Sequence, residues 1–281
     1  MFRRNAYTRS RLGRWHEIGL KASAISAEVA VVNDEAGSQE IRAPASLNGD
    51  MAHRAVMRTP EIEWQASPSG TVWRKRLHLV GDAESGQVTS VVRYEPGAAF
   101  PIHDHPDGEE IFVLEGVFSD EHGDWPAGTH LLNPEGFRHA PFSRDGCVLF
   151  VKLRQYAGAQ RVYQKIDTHA MDWQCTNSEG IETKLLYEES AFPDVTRLER
   201  WASGTTWKTD PLNGGCEIFV IAGEIYDSEG VYGVGTWIRL PNAAGIELIS
   251  EQGCVLYIKR GALPTLRTIA DPPSERLAIR N

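Results

Sequence analysis

Cysteine is scarce in this chain, with four in 281 residues and none in a C-x-x-C pair. Cys147, Cys175, Cys216 and Cys254 are too widely spaced to nucleate a structural zinc site or a thiol redox motif. They read as buried thiols of a reducing compartment, and a chain this long does not need a disulfide framework. Excess positive charge is missing as well: 29 Lys and Arg against 38 Asp and Glu leave a formal net charge of −9. That balance argues against a general polyanion binder, so no nucleic-acid partner is expected. No apolar run reaches the ~18 residues that a membrane helix needs, because Gly, Pro or charge interrupts each one. A soluble, cytoplasmic protein without a membrane partner is the expectation. No long amphipathic helical pattern is visible either.

What is present is a 41% hydrophobic composition, enough for one large core or two modest ones. Residues 1–50 differ from the rest. Arg3, Arg4, Arg9, Arg11, Arg14 and Lys21 are opposed only by Glu17 up to Ser26, and no sustained apolar stretch follows. An organelle transit segment is one reading. A disordered extension or an upstream start is the preferred one, and this segment stays outside the fold argument.

From Trp64 onward the dominant feature is an internal repeat. VTSVVRYEPGAAFPIHDHPDGEEIFVLEGVFSD, from Val88, aligns without a gap on VTRLERWASGTTWKTDPLNGGCEIFVIAGEIYD, from Val195, at a constant offset of 107. The offset carries Gly97 onto Gly204, Gly116 onto Gly223, Gly128 onto Gly235, Pro134 onto Pro241 and Cys147 onto Cys254. Two duplicated domains follow, assigned to residues 51–160 and 161–264, with residues 157–169 forming the connection and 265–281 a tail. Within each copy, short runs such as IFVLEGVF and CVLFVKL alternate with Gly, Pro, Asp and Asn clusters. The pattern predicts an all-β fold of two tandem barrels, with SDEHGDWPAG as a hairpin connection.

The first copy carries the chemistry. His103 and His105, two apart on an extended strand, project from one face. Glu109 follows a bend at Pro106, Asp107 and Gly108, and His139 arrives after the turn Pro134, Glu135, Gly136. Three imidazoles and a carboxylate suit a divalent transition metal, with calcium and magnesium poor candidates. Glu109 is preferred to Glu110 because it shares the parity of the two histidines. His78, His122 and His130 fall outside this pattern and read as surface groups or as groups behind the ligands. Phe100, Phe112, Phe137 and Phe142 read as cavity lining or as ordinary barrel core.

Gly97 to Gly116 resembles the first cupin motif, G-x5-H-x-H-x3-E-x6-G, at every defined position. The stretch from Gly128 is similar to the second motif, with Gly128, Pro134, Gly136 and His139 in place and Ser143 where Asn is usual. The surrounding wording is similar to the ChrR-like cupin branch, over about Asp50 to Gly261. That resemblance implies two jelly-roll (double-stranded β-helix) barrels, and His103, His105, Glu109 and His139 as ligands of one divalent ion per chain. Iron or zinc is expected, with manganese or nickel also admitted. It implies either a non-haem dioxygenase-type enzyme acting on a small chelating substrate, or a zinc-binding regulatory module like that of an anti-sigma factor. No Cys precedes Cys147, so the cysteine-bearing domain that grips a sigma factor is not recognisable here, which favours the enzyme. Partners are then a small molecule and, as an option, a second copy in a homodimer.

The offset places the four ligand positions on Asp210, Leu212, Cys216 and Ile246. The second barrel is therefore expected to keep its fold but to be packed or apolar inside.

Overall fold

Alternation along the strand Glu109–Asp120 shows how one sequence segment serves two surfaces. Ile111 and Val113 point into the first barrel's core, while Phe112 and the half-buried Leu114 belong to a separate cluster shared with the second copy. The computed structural model describes residues 46–208, 213–241 and 246–269. The basic extension up to residue 45 and the tail beyond 269 lie outside the described residues. Residues 46–50, at the end of the stretch assigned to the extension, are part of the fold: Arg239 donates to the carbonyls of Asn48 and Asp50.

In the first copy the main strands are β1 (Ala55–Arg58), β2 (Val72–Val80), β3 (Gln87–Tyr94), β4 (His103–His105), β5 (Glu109–Asp120), β6 (Thr129–Asn133), β7 (Phe137–His139) and β8 (Cys147–Leu153). The second copy follows with β9 (Gln164–Asp167), β10 (Ile181–Glu188), β11 (Val195–Trp201), β12 (Cys216–Gly223), β13 (Thr236–Leu240) and β14 (Cys254–Arg260). Among the described residues, helical structure is confined to three-residue 3-10 turns. The two large sheets have matching orders, β2-β3-β8-β5-β6-β9 and β10-β11-β14-β12-β13-β1, all antiparallel. These are two tandem jelly-roll barrels. The expected hairpin is present, with Asp120 opposite Gly123.

Each order ends on a strand from the other copy. β1 pairs with β13 of the second barrel, and β9, inside the stretch linking the repeats, pairs with β6 of the first. The exchange is reciprocal: Ala55 faces Arg239 and Gln164 faces Leu132, where Arg239 and Leu132 are related by the offset of 107 and Ala55 and Gln164 by 109. Edge N–H and C=O groups of each sheet are thus satisfied by the neighbouring repeat.

The faces that meet between the barrels obey the same symmetry. Phe150 stacks on Phe219 at 4.5 Å, and Phe112 packs against Tyr257 at 5.6 Å between ring centroids. Lys152 Nζ donates to Glu217 Oε2 at 2.8 Å, and its counterpart Lys259 donates to Glu110 Oε2 at 2.7 Å. Lys259 also reaches Asp194, which Arg161 clamps through two nitrogens. Burial opposes ionisation of Glu110 and Glu217, but the facing lysines hold both carboxyls below the usual carboxylate range.

Two motif glycines have a steric reason shared by both copies. Gly116 and Gly223 sit at φ 71° and 70°, and a Cβ on either would collide with the carbonyl oxygen of Gly146 or Gly253. Ser143, where the motif usually has Asn, donates to the Val117 carbonyl at 2.6 Å, and Ser250 makes the same bond to Glu224 at 2.7 Å. Cys147, Cys216 and Cys254 are buried as expected. Cys175 is exposed, because its two-residue strand lies at the outer edge of the second sheet.

Candidate functional site

β4 and β7 form a two-stranded ribbon in which His103 lies directly opposite His139. His105, two residues along β4, shares that face, so the ribbon presents three imidazoles together. Their ligand atoms all lie within 4.8 Å of one another, and no other group of three His, Cys, Asp or Glu meets that test among the described residues. The bend expected after β4 is made by Asp107 and Gly108, at φ 59° and 70°. It turns the chain so that Glu109, first in β5, faces back toward the imidazoles. Glu109 Oε2 lies 3.5 Å from His105 Nε2 and 3.6 Å from His139 Nε2. The structure thus brings together all four residues singled out by the sequence, with Glu109 approaching two of the three histidines.

The orientation of each group is set by a neighbour. His139 Nδ1 donates to Asp120 Oδ2 at 3.1 Å, which leaves the Nε2 lone pair facing inward in the neutral ring. His103 Nδ1 donates to the Pro101 carbonyl at 2.9 Å, and Asn133 Nδ2 donates to Glu109 Oε2 at 2.9 Å. Burial draws the His139 pKa down, but the hydrogen bond to Asp120 and the charge of Glu109 outweigh it and raise the ring above its ordinary value. His105 is lowered, chiefly by burial and against the pull of Glu109.

A metal ion fits this donor set. His105 Nε2 and His139 Nε2 are 2.9 Å apart. Two nitrogens at right angles on an ion with bonds of about 2.1 Å would stand about 3.0 Å apart. Both rings are nearly buried, so the shared space suits one cation better than water.

The donors line a cavity of about 330 Å³. Its walls are apolar, with Val92, Phe100, Phe118, Leu149 and Val151 contributing, and Tyr94 faces it with its ring edge-on to Phe100 and Phe118. Burial, followed by the nearby charge of Glu109, pushes the Tyr94 hydroxyl well above its usual pKa.

Of the four phenylalanines considered, only Phe100 lines the cavity. Phe112 faces the other barrel, Phe137 stacks on Tyr163 at 5.0 Å, and the Arg144 guanidinium lies over Phe142. Glu110 points away from the site into the contact between barrels. His122 is on the surface as expected, but His78 and His130 are buried, at 2% and 0% exposure. His78 donates to the Asn48 carbonyl and meets Gln87, while His130 lies between Glu110 and Tyr257. Neither bonds to His103, His105, Glu109 or His139, because both belong to outer faces that later packing covers. Asp120 and Asn133 were missed by motif reading. The only trace of Asp120 in the sequence is its recurrence as Asp227, and a recurring residue can equally be structural.

Among the described residues, the counterpart positions are occupied by core side chains. Cys216, in the place of Glu109, is fully buried, and burial pushes its thiol pKa up to about 12. Ile246 packs on the same core, and Leu240 stands where Asn133 stood. Trp201 and Trp207 replace Tyr94 and Phe100, and the Arg260 guanidinium lies 4.7 Å over Trp207. Asp210 and Leu212 lie outside the described residues.

The sequence profile of the ChrR cupin-like domain matches residues 52–157 and again 162–264. The chain belongs to the ChrR cupin-like family. Among curated protein sequences none matches significantly. Solved structures share the fold at low identity. A Nostoc punctiforme protein provisionally assigned as a dioxygenase is similar at TM-score 0.62 and 14% identity, covering 79% of this chain and 88% of that one. Escherichia coli pirin YhhW in complex with nickel(II) gives 0.53 and 14%, over 77% and 100%. A Bacillus subtilis oxalate decarboxylase variant gives 0.51 and 14%, over 78% of each chain. At these identities the likeness speaks for the fold alone. No helix among the described residues is long and apolar enough to cross a membrane.

Proposed function

We propose that this ChrR-like cupin is a metal-dependent enzyme that binds one divalent transition ion through His103, His105, Glu109 and His139 and acts on a small chelating organic substrate, as a dioxygenase does. The observation that carries the reading is the position of these donors. They sit on the wall of an apolar cavity of about 330 Å³, large enough for a small molecule, rather than in a closed cage. Bound there, the ion would supply Lewis acidity and, if it is iron, redox chemistry toward dioxygen. The chain's own residues do the rest. Asp120 and Asn133 fix the rotamers of His139 and Glu109, and the apolar walls exclude water from the reacting face. Tyr94 places a protonated phenol at the cavity wall, where it can donate to a substrate oxygen.

The nickel-bound pirin supports a metal site on this fold without deciding the ion, and the provisional dioxygenase supports the reaction class. The test is anaerobic reconstitution with ferrous iron, followed by oxygen-electrode measurements on a panel of diketones and flavonols. Oxygen uptake with at least one chelating substrate is expected. Absence of uptake across the panel, together with tight zinc in protein from its native host, would return the zinc-binding regulatory module as the better account.

A further inference from the structure

The cavity that holds the donors has a charged rim, and its charges do not balance. Arg74 and Arg154 both line the cavity, with side chains 18% and 23% exposed. Arg74 shares its carboxylate partner with a second arginine: Glu84 receives Arg74 Nη1 at 2.5 Å and Arg76 Nη2 at 3.1 Å. Arg154 is in the same position. Asp107 Oδ2 lies 2.7 Å from Arg267 Nη2 and only 3.7 Å from Arg154 Nη1, beyond hydrogen-bond length. Each group has two guanidiniums to one carboxylate, so each leaves one positive charge uncompensated. Asp104, the other acid at the rim, is mostly exposed and pairs outward with Arg138 at 3.9 Å. This local excess stands on a chain whose net charge is −9.

The repeat offers an internal comparison. By strand pairing, Arg74, opposite Val92, corresponds to Thr183, opposite Glu199, and at the offset of 107 Arg154 becomes Gly261. The rim arginines are therefore absent from the same barrel that lacks the Glu109 and His139 donors. A purely structural role in closing the barrel would be needed in both copies.

We propose that the first cavity selects an anionic substrate, a small chelating acid whose chelating oxygens face the histidines while a second, carboxylate group is held at the rim by Arg74 and Arg154. This rests on the metal-site reading above and adds the substrate's charge to it. A guanidinium at an apolar, half-enclosed rim binds a carboxylate through charge-assisted hydrogen bonds, and its field concentrates anions at the mouth.

The test uses two diketones that differ by one group: acetylacetone, and 4,6-dioxoheptanoate, which is acetylacetone extended by a carboxymethyl group. Calorimetric titration of the metal-loaded full chain should show the acid binding about tenfold or more tightly at low salt, with the advantage shrinking as ionic strength rises. Arg74→Gln and Arg154→Gln, singly and together, should bring the affinity for 4,6-dioxoheptanoate down toward that for acetylacetone while metal content stays at the wild-type level. Acetylacetone binding with no preference for the acid, or a preference that survives the double substitution or high salt, would overturn this inference alone. Failure of wild type to retain metal, or of either diketone to bind in a metal-dependent way, would overturn the metal reading itself and this inference with it.

Discussion

The two barrels share strand order, register, turn glycines and core residues such as Ile111/Ile218, Val113/Val220 and Leu149/Leu256, yet their interiors differ where the first carries its polar groups. Where the first places Glu109, Asn133, Tyr94 and His139, the second places Cys216, Leu240, Trp201 and Ile246. Both solutions fill the same backbone. The difference teaches that barrel closure depends on the pleat, the left-handed glycines and the exchanged edge strands, none of which requires a ligand. Residues facing inward are then free to be a site in one copy and a core in the other. Residues facing outward are not free, because Glu110 and Lys152 recur as Glu217 and Lys259 and complete each other's ion pairs across the contact.

The largest effect that would test this comparison is in metal content. One equivalent per chain is expected from plasma emission spectroscopy of dialysed protein. His139→Ala should cost most of it by removing a donor nitrogen, and His122→Ala should leave it near wild type. Cys216→Ala should also leave it intact, since that thiol is a neutral core group. Two equivalents, or loss of metal on changing Cys216, would show that the second interior has been misread.

Next comes the contact between the copies. Lys259→Met leaves Glu110 buried without its cation, and removal of one member of such a pair costs about 3–5 kcal/mol. Lys152→Met should cost a similar amount through Glu217, because the two pairs are related by the repeat. Urea denaturation would measure both. A strong effect for one and none for the other would show that the contact is not symmetric in energy as it is in geometry.

How far these features were legible in the sequence follows from their range. His103, His105 and Glu109 lie within seven residues, so motif spacing and parity were enough to choose Glu109 over Glu110. His139 was legible only through its motif. The strand exchange was not legible, since AVMR and QKID carry no pattern naming a distant edge strand as partner. Nor was the burial of His78 and His130. Those polar residues lie on faces that become interior only when other segments of the chain cover them. Asp120 and Asn133 hold His139 and Glu109 through single hydrogen bonds, and a single bond leaves no periodicity in the sequence.

A smaller effect distinguishes the copies by acid. Burial lowers the His78 pKa to about 4, from an ordinary 6.5, and its counterpart by strand pairing, Tyr187, has a hydroxyl that takes up no proton in this range. As pH falls below 6.5 the unfolded chain binds this proton and the folded one does not, so stability declines until about pH 4. The loss from this one group would total roughly 3 kcal/mol. His78→Gln should flatten the dependence of unfolding free energy on pH across that window, whatever it does to absolute stability. An unchanged slope would mean that His78 takes up its proton in the folded state as well.

The smallest expected effect concerns Asp120 and Asp227, which occupy the same position in the two copies and do different work. Asp120 Oδ2 accepts from His139 Nδ1, while its Oδ1 accepts from the His122 backbone N–H at 2.8 Å. Asp227 instead accepts from the Tyr232 hydroxyl at 2.7 Å and pairs with Arg54 at 2.6 Å, tying the segment before β1 to the second barrel. An aspartate behind a ligating histidine fixes the ring and raises its basicity, and loss of such support typically lowers metal affinity 10- to 100-fold. Asp120→Asn keeps the shape and an acceptor oxygen but removes the charge. It should therefore weaken metal binding by about tenfold, at the low end of that range, with little change in thermal midpoint. Asp227→Asn should do the reverse, lowering the midpoint through the weakened Arg54 pair while metal affinity stays at the wild-type value. Competition titrations against a chelator, run beside thermal melts, read both quantities. If Asp120→Asn lost stability and kept its metal affinity, the carboxylate would be a structural anchor in both barrels, and the support assigned to His139 would have to come from the strand pairing of β4 and β7 alone.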